Sequence, residues 1–244
     1  MERKKYSLIV LMLMLIYSAV AGSTYSSRIY NAYISGNMNE WKKILQETEQ
    51  QKNQSSAFLL EQINYQYGYI GWCLGTNKKN EAKIWMEKME KNMEILEERN
   101  YQPSMIAAYR GSMIGFKIGL NKMQAPFIGG KSITYAKTAM ESDPKNPLGF
   151  FLHGNILFYT PEFFGGAKDE ALNHYLKALK NMEENPSWRN KNWNYLNLLT
   201  VIATAYYEYN QQDKALKYLQ KALKAEPEFQ WVKKELYPKF STKK

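Results

Sequence analysis

Apolar residues recur along most of this chain at steps of three and four. Between positions 82 and 96, the residues Ala82, Met86, Met89, Met93 and Leu96 form one stripe, and glutamate and lysine fill most of the other face. That is the period of a helix with one side turned to a core. Pro-bearing breaks at "SDPKNP" (142–147), "ENPSW" (184–188) and "AEPEF" (225–229) stop one helix and start the next. No alternating stretch of strand length stands between hairpin turns. The pattern predicts an all-α protein.

The helical pattern also repeats. "FKIGLNKMQAPFIGG" from Phe116 and "FLHGNILFYTPEFFGG" from Phe151 share Phe, two residues, Gly, six residues, Pro, two or three residues, and Gly-Gly. The period is 35 or 36 residues, the length of a helical-hairpin unit. Downstream of each first helix comes a second with an early Ala and spaced apolar residues, in "NEAKIWMEKM", "DEALNHYLKAL" and "DKALKYLQKAL".

On these residues the chain resembles the tetratricopeptide repeat family. In the last unit Leu199, Ile202, Ala203 and Tyr206 match the first helix, Ala215, Leu219 and Ala222 the second, and Pro227 the terminator. The preceding unit supplies Phe150, His153, Gly154 and Leu157, then Ala171, Tyr175 and Ala178. Weaker units lie at 105–144 and 56–99, and "YNAYISGNMNEWKKIL" (30–45) reads as a degenerate pair. The P-x-x-GG loops look like those of exported bacterial members, with a remote likeness to the T component of TRAP-type transporters. The resemblance implies an α-α superhelix of about five helical hairpins plus a C-terminal capping helix. Expected boundaries are a degenerate pair at 22–55, the array at 56–227, and a cap with basic tail at 228–244.

"APFIGGKS" (125–132) has the second half of a phosphate-binding loop, but Ala125 stands where the first Gly belongs and Pro126 lies inside it. The sister loop "PEFFGGAKDE" lacks the Lys-Ser pair, and no strand precedes either. A structural role is therefore expected. Pro126 and Pro161 should end first helices, and Gly129, Gly130, Gly165 and Gly166 should provide backbone freedom for the reversal. Lys131 and Ser132 should then matter little to stability. Phe127, Ile128, Phe163 and Phe164 would fold back on the array or project from its rim as a contact surface.

Composition alters this picture little. The 244 residues carry a net charge of +10, but the lysines are interspersed with glutamates, which fits a solvated helical surface and not nucleic-acid binding. Only the end is locally basic, with Lys233, Lys234, Lys239, Lys243 and Lys244 against Glu235. The single cysteine, Cys73, permits no internal disulfide and sits among apolar neighbours.

The N-terminus carries Arg3, Lys4 and Lys5, an apolar run at 8–17, and Ala19-Val20-Ala21. Those are the parts of a secretory signal, cleaved after Ala21 or retained as an anchor. The expected location is the periplasm or envelope of a bacterium. Membrane contact would come only through that segment or the basic tail.

Catalytic motifs are absent. His153 and His174 lie 21 residues apart with no matching Cys or acidic cluster, and no zinc, nucleophile-elbow or metalloprotease pattern occurs. No enzyme, metal or cofactor is expected. The leading reading is a non-enzymatic scaffold that binds a protein or peptide, and the alternative is small-ligand capture linked to a transporter. Carried over from the family, the first helix of each pair would line a concave groove. The expected groove residues are Phe116, Leu120 and Met123, then Phe151, Asn155 and Phe158, then Thr200, Thr204 and Tyr207.

Overall fold

The computed structural model describes residues 25–52 and 55–242, and no strand occurs among them. The expected secretion signal at 1–21 and the last two lysines lie outside the described residues. Helices follow in the order α1 (25–35), α2 (Met38–Glu49), α3 (Ser56–Gly75), α4 (Lys79–Glu98), α5 (Pro103–Leu120), α6 (Ala125–Ser142), α7 (Pro147–Tyr159), α8 (Lys168–Glu184), α9 (Pro186–Arg189), α10 (Trp193–Glu208), α11 (Gln212–Ala225) and α12 (Tyr237–Ser241). Neighbours pair as antiparallel hairpins, α1/α2, α3/α4, α5/α6, α7/α8 and α10/α11, stacked into an all-α superhelix. A π-helical turn at Val232–Leu236 leads into α12 as the terminal element.

Local chemistry sets the helix ends. The side chains of Asn37, Ser55, Asn146 and Asn192 accept hydrogen bonds from the first-turn N–H groups of α2, α3, α7 and α10, which satisfies donors that helix geometry leaves unpaired. Prolines occupy the first turns of α5, α6, α7 and α9, where a missing N–H costs nothing.

Three hairpins turn in the same way. Gly36 (φ 72°), Asn77 (φ 60°) and Asn210 (φ 57°) take the left-handed conformation after α1, α3 and α10. The next residue's N–H returns to a carbonyl five positions back, as in Asn37→Ala32, Lys78→Cys73 and Gln211→Tyr206. This is the Schellman closure, and Gly or Asn is the side chain that tolerates it.

The other two hairpins depart from that turn, and differently from each other. The expectation that Pro126 ends a helix and that Gly129-Gly130 forms a reversal is corrected. α5 ends at Leu120, a 3-10 turn covers Lys122–Gln124, and α6 runs straight through "APFIGGKS" with Pro126 in its first turn. Gly129 and Gly130 are helical. The sister loop does reverse: Gly165 has φ 89°, and a Cβ on Gly166 would lie 1.8 Å from the Thr160 carbonyl oxygen. Ser132 is likewise not incidental, because its buried hydroxyl donates to the Gly111 carbonyl at 2.8 Å. A helix and a 3-10 turn precede this segment in place of a strand, and Gly130-Lys131-Ser132 is wound into α6, so the strand–loop–helix arrangement of a phosphate loop is not formed here.

The ends of the superhelix meet. Tyr30 on α1 donates its hydroxyl to Glu226 at 3.0 Å, Tyr33 packs 5.1 Å from Phe229, and Trp41 meets Trp193 edge-on at 5.2 Å. The concave side is therefore closed by the N-terminal hairpin and the segment after α11, and its lining is aromatic.

Candidate functional site

A cavity of about 680 Å³ lies where these ends converge. α3 forms its floor through Tyr67, Gly68, Gly71, Trp72 and Gly75, and Phe116 of α5 and Trp193 of α10 add walls. The N-terminal hairpin adds Tyr33, Met38 and Trp41, and the C-terminal segment adds Phe229, Trp231 and Glu235. The rings are mutually braced. Tyr67 stacks on Phe116 at 5.5 Å, and Tyr33 touches Trp41, Trp193 and Phe229 at 6.0, 5.7 and 5.1 Å. Such edge and offset contacts fix the ring positions before any ligand arrives.

Glycine shapes the floor. A Cβ on Gly68 would strike Trp41 and Trp193 at 2.7 and 2.8 Å, so these two indoles lie directly on the α3 backbone. One and two turns further on, Gly71 and Gly75 have open space in front of them. The helix thus presents bare backbone to the void.

Polar groups are few. The Trp41 indole N–H donates to the Tyr65 carbonyl at 3.1 Å and that of Trp193 to Asn64 at 2.9 Å, so both indoles are satisfied. Asn64 in turn donates to the Tyr109 hydroxyl at 2.6 Å, which ties α3, α5 and α10 together behind the cavity. Burial pushes the Tyr33 and Tyr67 phenols far above their ordinary range, so both remain neutral donors. Tyr33 donates to Asn197 at 3.4 Å. Glu235 is the one charged residue of the lining, and no His, Cys, Lys or Arg belongs to it. Outside it, Lys78 lies over the Trp72 ring at 4.3 Å.

Of the groove residues expected from the repeat pattern, Phe116 alone lines this cavity, and Leu120 is partly buried against the core. Phe151 and Phe158 are buried inside the α7–α8 hairpin against Tyr175, whose hydroxyl donates to Asn155 at 2.9 Å. Met123 sits outside on the α5–α6 turn, 80% exposed. The hydroxyls of Thr200 and Thr204 donate to backbone carbonyls of α10. Tyr207 lies flat on Phe240 at 4.0 Å. Among these positions Phe116, Asn155 and Thr200 adjoin the cavity tyrosines Tyr67 and Tyr33, while Met123 and Tyr207 lie away from its lining.

The loop candidates separate as well. Phe127 and Phe163 are exposed, Ile128 is partly buried, and the backbone of Phe164 closes the 3-10 turn Glu162–Phe164.

The two histidines are neighbours in space. His153 on α7 and His174 on α8 have ring centroids 4.5 Å apart, and His174 Nε2 lies 3.5 Å from Glu170. His153 is buried with no partner for Nδ1, and that burial, with His174 second, lowers its pKa to about 4. Neither ring reaches the cavity lining. Burial holds the Cys73 thiol up at about 11. Among the described residues no group of three His, Cys, Asp or Glu is arranged to hold a metal, and no helix is long and apolar enough to cross a membrane.

These features define a class first: an all-α superhelix of hairpins whose two ends converge on an aromatic pocket. No family model matches the chain, and no curated protein does. Among solved structures it is similar to the HusA haemophore from Porphyromonas gingivalis, with 21% sequence identity and a TM-score of 0.62. The match covers 76% of this chain and 93% of that one. At that identity the likeness is one of fold.

Proposed function

We propose that this protein is an exported, non-enzymatic binding protein that captures a flat, largely apolar small molecule in the aromatic cavity. The observation that carries this reading is the cavity itself. At about 680 Å³ it falls within the roughly 300–1,000 Å³ of small-molecule sites, and its wall is apolar with a few fixed polar groups. Braced rings above a bare helix backbone suit a planar conjugated ligand. The similar fold of a haemophore makes a tetrapyrrole the natural first probe. The hairpin array is compatible with tetratricopeptide-type repeats, but a peptide-binding scaffold of that type uses an open concave face. Here the contacts Tyr30–Glu226 and Tyr33–Phe229 occupy that face.

Native mass spectrometry of the protein purified from its own cell envelope tests the proposal. A retained conjugated small molecule is expected. A retained peptide in place of any such ligand contradicts it and returns the scaffold reading.

A further inference from the structure

Seven large apolar side chains are exposed among the described residues, and five of them, Met123, Phe127, Tyr135, Tyr159 and Phe163, fall between positions 123 and 163. Topology gathers the two turns that carry Met123 and Phe163, with Phe127 and Tyr159 at the adjoining helix ends. α5 and α6 form one antiparallel hairpin, α7 and α8 the next, and α5 packs along α7. The α5–α6 and α7–α8 turns therefore lie at the same edge of the superhelix. These are also the two hairpins that abandon the Schellman turn. The longer connections leave Met123 and Phe163 at 80 and 92% exposure, and Phe127 in the first turn of α6 stands 82% exposed beside them.

Charge gives this edge a direction. No Asp or Glu occurs from position 99 to 140, a stretch with six Lys and Arg. Arg110 and Lys117 pair with glutamates of α4, whereas Lys122 and Lys131 are exposed and form no ion pair among the described residues. Along α6 the exposed positions Phe127, Lys131 and Tyr135 follow one another at four-residue steps, which puts aromatic and cation on one strip of the helix surface. The neighbouring turn carries Glu162, and Lys168 just after it pairs with Glu208 at 3.7 Å.

We propose that this edge docks on an anionic lipid surface. Met123 and Phe127 would enter the interfacial layer, and Lys122 and Lys131 would meet headgroup phosphates, the arrangement by which amphipathic helices lie on membranes. A second copy of the chain is a poor occupant, because face-to-face pairing would set lysine against lysine. The inference does not depend on what the cavity holds.

Co-sedimentation of the mature chain with phosphatidylcholine vesicles containing phosphatidylglycerol, against vesicles of phosphatidylcholine alone, tests it. Binding to the anionic vesicles is expected, with release by salt. Lys122→Glu with Lys131→Glu should weaken it roughly thirtyfold or more, taking about fivefold for each lysine removed. Met123→Ser with Phe127→Ser should also abolish retention while leaving thermal melting unchanged, since both side chains are exposed. Four results would overturn the proposal: no vesicle binding by the folded chain, equal binding to neutral vesicles, wild-type binding by both edge variants, or a dimer that Phe127→Ser dissolves. Loss of binding in Lys243→Glu with Lys244→Glu, but in neither edge variant, would assign the contact to the tail instead.

Discussion

Gly165 and Gly166 are the residues whose lack of a side chain the fold requires most directly. Gly165 sits at φ 89°, and Gly166 has the Thr160 carbonyl where its Cβ would be. Substituting Gly165 with Ala should cost about 1–2 kcal/mol, and Gly166→Ala should cost more because backbone must move. In contrast, Gly130 lies within α6 with open space ahead of it, so Gly130→Ala should leave stability unchanged or raise it by up to about 1 kcal/mol. Thermal melting of the three variants checks the contrast, and equal losses at all three would contradict it. Sequence alone did not separate these pairs, because a proline two or three residues before Gly-Gly marks both. What separates them is whether proline follows a finished helix, as Pro161 does, or sits inside the first turn of a new one, as Pro126 does.

His153 makes a second prediction at this scale. Its folded-state pKa of about 4 lies below the usual 6.5, so the unfolded chain takes up the proton first. The neutral buried form therefore contributes fully above pH 6.5, and stability drains as pH falls from 6.5 toward 4, by about 3 kcal/mol at most. The groups facing it are His174 and Glu170 on α8 and Lys137 on α6. Denaturant titrations at neutral and acid pH should show a smaller acid loss for His153→Leu than for wild type. Parallel losses would remove His153 from the account. That the two histidines touch was invisible in a 21-residue spacing, since it depends on how α7 meets α8.

At the scale of elements, the α5–α6 pair is held by small residues and buried hydroxyls, not by large interlocking side chains. Ser104 donates to the Ala139 carbonyl at 2.8 Å and accepts from Asn146 at 2.8 Å, while Ser132 bonds Gly111. Ser104→Ala strands two buried partners and should cost about 1–3 kcal/mol, measurable as a lower denaturant midpoint at constant m-value. An unchanged midpoint would mean water replaces the hydroxyl. The helices and their pairing were legible because a period of three to four, broken by proline, dictates them, as with the Ala82–Leu96 stripe on α4. These hydroxyl stitches were not, because Ser at a helix interface and Ser on a solvated face look alike in a one-dimensional pattern.

At the scale of the molecule, the meeting of the superhelix ends builds the proposed site. It joins Tyr30 to Glu226 across 196 residues, and such a contact is set by the accumulated twist of five hairpins, not by any local motif. For that reason Phe116 could be placed in the site from the repeat register, but Trp41, Trp193 and Phe229 could not. Their abundance was visible in the composition while their convergence was not. Four of the six tryptophans, Trp41, Trp72, Trp193 and Trp231, line the cavity, so intrinsic fluorescence reports directly on its occupancy. Gly71 faces open space there, and a leucine at that position should fill the void without disturbing α3. The decisive measurement is a fluorescence titration with iron protoporphyrin of wild type and of Gly71→Leu, after matched thermal melts. Saturable quenching in wild type that weakens at least about tenfold in Gly71→Leu, a loss of roughly 1.4 kcal/mol, is the predicted result. Absence of saturable quenching in wild type, or quenching of equal affinity in both proteins, would contradict a ligand-binding cavity at this place.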